Sequence, residues 1–354
     1  MMPVSTELVM RILVCGAQKP FMRGGAEMHM ENLVAALRAA GHDAELVRLP
    51  VAWEKGRIFD AALAWRLVPL DADLVVATNF PSYFAAHPNK VVWLFHQHRG
   101  AYDAADSGWS DIGIDDVSLE TQRLLSDWDS HALEEATRLF TTSGAVADRL
   151  LRFNGLTAEP LYHPPPLHDR LVPGPFGDYV LAPMRLERNK RPEPLVRALA
   201  NTPPQVRLVM TGPGSLLDVV RSTAAELGVA DRLCVTGFLD DAALIEHFAG
   251  ALAVVYAPFD EDYGYVTLQA FLAGKPVITA ADSGGVLEWV EDGVTGLVTD
   301  GSPQGIAAAI ARLHSDRELA RRLGEAGRRR AAGLSWPRVV AALLGQRITA
   351  APPS

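Results

Sequence analysis

The residues best suited to chemistry lie in an acidic segment in the second half of the chain, Tyr256–Ala270. An apolar run ends at Pro258 and a helical pattern begins at Gly264, so we expect a buried strand, a polar loop and a helix, in that order. The first amides of a helix have no partner within it and its dipole is positive there, so this helix start predicts an anion site. Glu261 stands in the loop, where its carboxylate could accept hydrogen bonds from hydroxyl groups. An acidic loop that only caps the helix is the alternative.

Two positive side chains follow another predicted strand, Tyr179–Pro183. Arg185 and Lys190 lie in the loop at the carboxyl end of that strand. Two cations beside a helix N-terminus can neutralise a diphosphate without a metal ion, which is what the departure of a nucleotide requires. A surface salt bridge with Glu187 is the alternative for the same two side chains.

Glycines at the ends of predicted elements are weaker candidates for ligand binding. Gly24 and Gly25 begin the first long helical pattern, and their backbone would let a phosphate or a sugar approach closely. Gly212 and the pair Gly237-Phe238 stand where two strands of the second half end. Tight turns without any ligand are the alternative at these positions.

Two histidines follow each other closely at the end of the predicted strand Val91–His96. At the end of a strand one of the two, His96 or His98, could turn into a ligand site, and a purely structural role is the alternative. A metal site built on this pair is not expected, because no third ligand is apparent in the sequence.

Pairs of aspartates two residues apart could also hold a cation, and this pattern occurs three times. Asp71–Asp73 precedes its strand, and Asp127–Asp129 falls within a helical pattern. Only Asp260–Asp262 stands at the carboxyl end of a strand, and there Arg185 and Lys190 make a cation redundant. The sequence therefore predicts no metal site.

These residues are positioned by a regular alternation of strand and helix patterns. Short apolar runs suit strands that are buried on both faces of a parallel sheet, with helices between them. The predicted strands are Met10–Gly16, Ala44–Leu49, Leu74–Thr78, Val91–His96 and Arg138–Thr142, then Tyr179–Pro183, Val206–Thr211, Leu233–Gly237, Leu252–Ala257 and Val277–Ala280. The pattern predicts an α/β fold of two Rossmann-like, doubly wound parallel-sheet domains that face a central cleft.

Two segments interrupt this alternation. Tyr162–Asp178 is rich in proline, which neither a helix nor a central strand tolerates, so we expect an interdomain linker there. Arg99–Glu134 is the least regular part of the first half, and its length suggests a functional loop or lid, or else a variable excursion.

The composition is that of a globular protein. The chain has 354 residues, 49% of them hydrophobic, and its formal net charge of -9 argues against a nucleic-acid partner. Cys15 and Cys234 fall in apolar runs and are predicted to be buried thiols of a reducing compartment.

The sequence also predicts a cytoplasmic protein. No apolar run reaches the ~20 residues that cross a bilayer, and the first ten residues do not have the pattern of a signal peptide. The arginine-rich stretch Arg312–Arg330 is interpreted as a solvated terminal helix, with peripheral attachment to the inner face of an anionic membrane as the alternative.

Taken together, the motifs resemble those of the retaining glycosyltransferases of family 4, which have the GT-B fold. The matching segments are Gly24–Glu27, Arg185 with Lys190, Glu261 with Gln269, Pro276-Val277, and Gly284–Glu288. Their order and approximate spacing match over nearly the whole chain, and the second half matches more strongly.

The resemblance implies transfer of a sugar, with its anomeric configuration retained, from a nucleotide-diphosphate sugar to a hydroxyl of a glycan, a glycolipid or a lipid-linked saccharide. This is the chemistry of bacterial polysaccharide biosynthesis. Arg185 and Lys190 would hold the diphosphate, Glu261 the hydroxyls of the donor sugar, and His96 would touch the transferring sugar. The positions implied to contact the donor are Gly24, Gly25, Gly212, Gly237, Phe238, Tyr263, Gly264, Tyr265, Val266 and Gln269. No cofactor and no metal is implied.

Gln269 departs from the family pattern. The family usually has a second glutamate here, which contacts the nucleotide ribose. Glutamine offers one acceptor and one donor, so we expect donor affinity to fall by about 1 kcal/mol while the reaction is kept. The alternative functions are a sugar-nucleotide epimerase of the same fold and a non-catalytic nucleotide-sugar-binding partner.

The family's architecture also implies a division of the chain. An acceptor-side domain would cover residues 1–166, a linker 167–178, and a nucleotide-sugar-binding domain 179–333. The closing segment, 334–354, would return to the first domain, with Trp336 as its anchor.

Overall fold

A computed structural model describes residues 8–21, 24–51, 54–105, 110 and 112–346. The chain divides into two compact units. The first unit contains the residues up to His163 together with the closing helix after Ser335, and the second contains Pro164–Leu334.

The first unit is built on a parallel sheet, whose described strands have the order β2-β1-β3-β4-β5-β6. The strands are β1 Arg11–Gln18, β2 Asp43–Pro50, β3 Leu74–Ala77, β4 Lys90–Leu94, β5 Arg138–Thr141 and β6 Glu159–Pro160. The helices are α1 Gly25–Ala39, α2 Ile58–Leu67, α3 Asp116–Glu134, α4 Gly144–Asn154 and, at the end of the chain, α11 Trp336–Leu344.

Helices cover both faces of this first sheet. Every residue of β3 and β4 is buried, as the unbroken apolar runs predict for central parallel strands. Helices α1 and α11 pack with one face, where Trp93 and Val339 lie in the same core cluster. Helices α2, α3 and α4 pack with the other face, where Trp65 and Leu125 lie in the core.

The second unit has the same plan. Its described strands have the order β12-β11-β10-β7-β8-β9, all parallel. The strands are β7 Tyr179–Pro183, β8 Arg207–Thr211, β9 Leu233–Gly237, β10 Ala253–Val255, β11 Val277–Ala280 and β12 Gly296–Thr299. The helices are α5 Pro192–Leu199, α6 Leu217–Glu226, α7 Asp241–Gly250, α8 Tyr265–Leu272, α9 Pro303–Ser315 and α10 Arg317–Ala331.

The strand order of the second unit creates a topological switch point. From β7 the chain runs outward through β8 and β9, then returns to the other side of β7 to form β10. The connections that leave β7 and β10 therefore diverge, and open α/β sheets bind ligands in the crevice that such a divergence leaves at the carboxyl ends of the strands.

The structure corrects several predictions about local structure. Most of Arg99–Glu134 is not irregular, because α3 occupies Asp116–Glu134 and is capped by Asp115, whose carboxylate accepts from the Ser118 amide at 3.0 Å. Strands β6 and β12 were not predicted. Both are edge strands, and short edge strands lack the long apolar run of central ones.

Cys234 is exposed, contrary to prediction, whereas Cys15 is buried. The thiol at position 234 lies on β9, an edge strand that is only partly covered, so its apolar neighbours in sequence did not imply burial. The apolar run around Cys15 belongs to β1, a strand with neighbours on both sides.

The arginine-rich stretch Arg312–Arg330 is two helices, not one, and it is not terminal, because α11 follows it. The break lies at Asp316, whose side chain caps α10 by accepting from the Leu319 amide at 2.8 Å. Arg321 pairs with Glu318 and Glu325 along the exposed face of α10, as the interleaved charges predict. No described helix is both long enough and apolar enough to cross a membrane.

The proline-rich segment before β7 has no helix or strand between residues 161 and 178, and it packs on the second unit. The buried ammonium of Lys275 donates to the carbonyls of Gly174 and Pro175, each at 2.8 Å. Arg317 donates to the carbonyl of Gly177 at 2.6 Å. These three backbone carbonyls have no partner in a strand or helix, and side chains thus satisfy their need for a hydrogen bond.

Candidate active site

The predicted site residues of the second unit gather at the carboxyl edge of its sheet. Strands β11, β10 and β7 are neighbours, so the loops that follow them, residues 281–285, 256–264 and 184–191, emerge side by side. Backbone hydrogen bonds join these loops directly. The Phe259 amide donates to the Asn189 carbonyl at 2.8 Å, and the Asp260 amide to the Asp282 carbonyl at 2.9 Å.

The loop after β7 carries the two predicted cations. Arg185 is exposed, and the side chain of Lys190 is only 13% exposed. Glu187 accepts hydrogen bonds from the Ser215 amide and hydroxyl, at 3.2 and 2.6 Å, so it is occupied elsewhere and does not form the salt bridge that was the alternative.

Lys190 is paired with Glu261 from the loop after β10. Tyr256 completes this cluster: its hydroxyl donates to the same carboxylate oxygen, Oε2 of Glu261, at 2.8 Å, and lies 3.3 Å from the Lys190 ammonium. Burial, and next the nearby Glu261 charge, hold the pKa of Tyr256 well above its usual value. One cation, one carboxylate and one protonated hydroxyl are therefore in contact at the carboxyl edge of the sheet.

The loop that carries Glu261 is held by the turn Gly284-Gly285. The Gly285 amide donates to the Glu261 carbonyl at 2.7 Å. A Cβ on Gly285 would lie 2.4 Å from the carbonyl oxygen of Asp262, and Gly284 has a φ of +58°, so both positions require glycine. The Gly-Gly motif of the sequence therefore has a physical role: it lets the backbone of this turn approach the backbone of Glu261 and Asp262 closely.

An ion pair also joins the loop after β7 to the loop after β11. Arg191 donates to Asp282 at 2.7 Å, and its guanidinium lies over the ring of Phe259 at 5.2 Å from the centroid. The guanidinium lowers the pKa of the Asp282 carboxyl.

Helix α8 begins where the sequence predicts. Gly264 precedes it with a φ of +78°, and a Cβ there would lie 2.8 Å from Val286 Cγ2. The first residues of the helix, Tyr265 and Val266, follow at the carboxyl edge of β10. The side chain of Tyr263 is 1% exposed and packs against Tyr265, so any ligand contact at position 263 would be through its backbone.

Gln269 is 8% exposed and has a specific partner. Its amide nitrogen donates to the carbonyl of Pro166 at 3.1 Å, which links α8 to the segment that enters the second unit. A carbonyl can only accept, so the nitrogen of the side-chain amide must face it. A carboxylate could not make this bond, which is a physical reason for glutamine at this position.

Gly212, which follows β8, and Gly237, the last residue of β9, lie at the same edge of the sheet as the loop of Arg185 and Lys190. The Gly212 amide donates to the Gly237 carbonyl at 2.7 Å. Gly212 has a φ of +109° and a Cβ there would lie 2.5 Å from the Met184 carbonyl oxygen, so it allows a close backbone approach. The side chain of Phe238 is 83% exposed.

The remaining predicted site residues belong to the first unit. Gly24 caps α1, and its amide donates to the Glu27 carboxylate at 2.8 Å, which gives the glutamate of that motif a capping role; Gly25 is the first residue of the helix. His96 lies just beyond the end of β4, half-buried, with Nδ1 2.8 Å from the Gln97 carbonyl. His98 is half-buried against the ring of Phe80, at 5.5 Å between centroids.

The aspartate pairs outside the candidate site have structural partners. Asp71 pairs with Arg11 at 3.2 Å, and Asp73 accepts from the Arg11 amide at 2.7 Å. Asp129 is buried on α3 and accepts from the Tyr102 hydroxyl at 2.5 Å. Over the part of the chain that the structure describes, no group of three or more His, Cys, Asp or Glu side chains is arranged to hold a metal ion.

Tyr256 was not predicted to be a site residue. It is the residue after β10, and its apolar neighbours indicate only a buried strand. The available signal was a hydroxyl-bearing side chain at the carboxyl end of a central strand, five positions before Glu261.

Comparison with solved structures identifies the fold. Sucrose-phosphate synthase from Thermosynechococcus elongatus superimposes with a TM-score of 0.74 at 20% sequence identity, covering 95% of this chain and 97% of that chain. With its two six-stranded parallel sheets among the described residues, the chain therefore has the predicted GT-B fold.

A family model matches the sequence of the second unit. Residues 177–330 match the model of the glycosyl transferases group 1, and this match contains all the second-unit candidate site residues. Through this segment the chain is similar to the group 1 glycosyl transferases, which supports the resemblance at that level.

Two curated relatives are similar in sequence over part of their length. A D-inositol 3-phosphate glycosyltransferase of Nocardia farcinica is 31% identical over 262 residues, which is 68% of this chain and 56% of the relative. A GDP-mannose-dependent alpha-(1-6)-phosphatidylinositol monomannoside mannosyltransferase of Mycobacterium tuberculosis is 40% identical over 157 residues, or 41% of this chain and 40% of the relative. The chain thus spans about half, or less, of the length of these relatives.

Proposed function

We propose that this chain is a retaining glycosyltransferase that moves a sugar from a nucleotide-diphosphate sugar to an acceptor hydroxyl without a metal ion. The observation that carries the proposal is the gathering of Arg185, Lys190 and Glu261 at the switch point of the second sheet, beside the start of α8. Retention of configuration rests on the resemblance to family 4. The names of the relatives, both sugar transferases, support the reaction class.

The proposed reaction uses these groups to stabilise the leaving diphosphate. The bond between the anomeric carbon and the phosphate oxygen breaks, and a bond from that carbon to the acceptor oxygen forms on the same face. The acceptor proton passes to the diphosphate. Negative charge that develops on the phosphate is stabilised by Arg185, Lys190 and the first amides of α8, so no divalent ion is needed.

The acceptor and the place of action follow by analogy. The two relatives are named for an inositol phosphate and a phosphatidylinositol mannoside, which supports an acceptor that is a saccharide or a lipid-linked saccharide. We propose a cytoplasmic protein. Ion pairs neutralise Arg317, Arg321 and Arg330 of α10, which favours a solvated helix over attachment to a membrane surface.

A thermal-shift panel of UDP-, GDP- and ADP-sugars identifies the donor, because a bound donor raises the melting temperature by mass action. Transfer is then measured with that donor in EDTA. Arg185→Ala and Lys190→Ala should each lower turnover at least about tenfold, the scale of a lost charged hydrogen bond. Arg188→Ala is the matched control, an exposed arginine of the same loop, and should stay near normal.

Two results would contradict the proposal. Near-normal turnover in both Arg185→Ala and Lys190→Ala would show that these two side chains do not stabilise the leaving diphosphate. Isomerised nucleotide sugar, formed without any acceptor, would favour the epimerase instead. The anomeric configuration of the product, read from the proton coupling in NMR, tests retention.

A further inference from the structure

Tyr256 lies at the centre of the candidate site. The residue is 4% exposed, and its amide donates to the Ile278 carbonyl of β11 at 2.9 Å, so it is fixed by the sheet itself. The hydroxyl lies 2.8 Å from Oε2 of Glu261 and 3.3 Å from Nζ of Lys190. An ammonium only donates and a carboxylate only accepts, so the hydroxyl must accept from Lys190 and donate its single proton to Glu261.

The ion pair of Lys190 with Glu261 conflicts with what the proposed donor requires. The diphosphate needs the ammonium of Lys190, and the sugar hydroxyls need the carboxylate of Glu261. As long as the two side chains satisfy each other, neither is fully available to the ligand. Binding of the phosphate must therefore draw Lys190 away from Glu261 or share it between both anions.

Sharing Lys190 weakens its ion pair with Glu261, and a full turn of Lys190 to the phosphate breaks that ion pair. Among the described residues, the side chains that bond to this carboxylate are Lys190 and Tyr256. Only the Tyr256 hydroxyl would then remain, and it cannot follow the ligand because its ring is buried in the sheet.

We propose that Tyr256 is a positioning residue that keeps the Glu261 carboxylate aimed at the donor sugar when Lys190 engages the diphosphate. This inference rests on the proposed function. It predicts that the hydroxyl matters for recognition of the sugar and not for recognition of the nucleotide, because Lys190 and Arg185 reach the phosphates without it.

The first test separates these two parts of the donor. UDP, GDP, UDP-glucose and GDP-mannose are each titrated calorimetrically into the whole chain and into Tyr256→Phe. We expect the affinity for UDP or GDP to stay within about twofold, and the affinity for the matching nucleotide sugar to fall about tenfold to a hundredfold, as the loss of a hydrogen bond to a charged group predicts.

Tyr179→Phe is the matched control. It removes a hydroxyl from the same unit, one that donates to the His247 carbonyl at 2.7 Å. It lies at the start of β7, the opposite end of that strand from the loop of Arg185 and Lys190. Both variants should lose some stability, but only Tyr256→Phe should separate nucleotide from nucleotide-sugar affinity.

The second test needs no ligand. Unfolding by urea is measured for Tyr256→Phe, Glu261→Ala and the double variant, and a double-mutant cycle gives the coupling between the two side chains. Non-additive effects are expected. Additive effects would overturn the inference, because they would mean that the hydroxyl does not hold Glu261.

The outcomes of the first test are also distinct. Equal loss of nucleotide and nucleotide sugar in Tyr256→Phe, or no loss of either, would overturn the positioning role while leaving the proposed function intact. If the unaltered chain binds none of the four probes and no sugar nucleotide of the thermal-shift panel, the proposed function is overturned, and the inference with it.

Discussion

Replacing Gln269 by glutamate tests the one departure from the family 4 pattern that this sequence resembles. The amide of Gln269 donates to the Pro166 carbonyl at 3.1 Å in a site where the side chain is only 8% exposed. A glutamate would place a carboxylate oxygen against that carbonyl oxygen, where neither can donate. We therefore expect Gln269→Glu to weaken the second unit, although it restores the residue that the family usually has.

The cost can be worked from this single contact. Losing the hydrogen bond and leaving the carbonyl unsatisfied costs about 1–3 kcal/mol of the free energy of unfolding. For a unit of this size, each kcal/mol lowers the melting temperature by roughly 2–4 °C. Burial also raises the pKa of the introduced carboxyl, and once protonated its hydroxyl can donate to Pro166. The loss should therefore be fully present at about pH 8 and largely recovered at about pH 4, below the ordinary glutamate pKa of about 4.3.

Differential scanning calorimetry at the two pH values measures both effects. Gln269→Met is the matched control: it removes the donor without adding a charge, so its loss relative to the unaltered chain should be the same at both pH values. A glutamate variant as stable as the unaltered chain at the higher pH would refute the reasoning. So would a loss that does not depend on pH.

Three further predictions concern other parts of the molecule. Gly285→Ala would place a Cβ 2.4 Å from the Asp262 carbonyl oxygen and displace the Glu261 loop, so urea unfolding should show a loss of about 1–3 kcal/mol and calorimetry a weaker affinity for nucleotide sugar; unchanged values would contradict the close approach. His96→Ala should lower turnover and leave nucleotide affinity largely intact, and an equal loss of both would remove His96 from the sugar site. Burial raises the pKa of Asp129 to about 7, so the folded protein binds this proton more tightly than the unfolded chain does. The stability gained in this way is complete below the ordinary pKa of 3.8 and is lost as the pH rises to 7. Relative to the unaltered chain, Asp129→Asn should gain stability over this range, by at most about 1.4 kcal/mol per pH unit in urea titrations, and a constant difference would contradict the burial argument.

The central strands and the start of α8 could be predicted because their signals are local. The strands β7 and β11 have the predicted bounds, since both are almost wholly buried and appear in the sequence as short, largely apolar runs. Gly264 indicated the start of α8 because a backbone with positive φ favours glycine.

The contacts that complete the site could not be predicted, because they join residues far apart in sequence. The bond from Gln269 to Pro166 depends on how the proline-rich segment packs on the second unit. The hydroxyl of Tyr256 meets Lys190 only because β10 pairs with β7 after a long excursion of the chain. The exposure of Cys234 likewise depends on the edge position of β9, which a single strand's sequence does not reveal.

The most direct test of the central claim is a crystal structure of the chain grown with UDP or GDP in the presence of EDTA. We expect phosphate oxygens within about 3 Å of the Lys190 ammonium, the Arg185 guanidinium and the first amides of α8, with no metal ion between them. A nucleotide bound elsewhere, or one that binds only when a divalent cation is added, would contradict that claim.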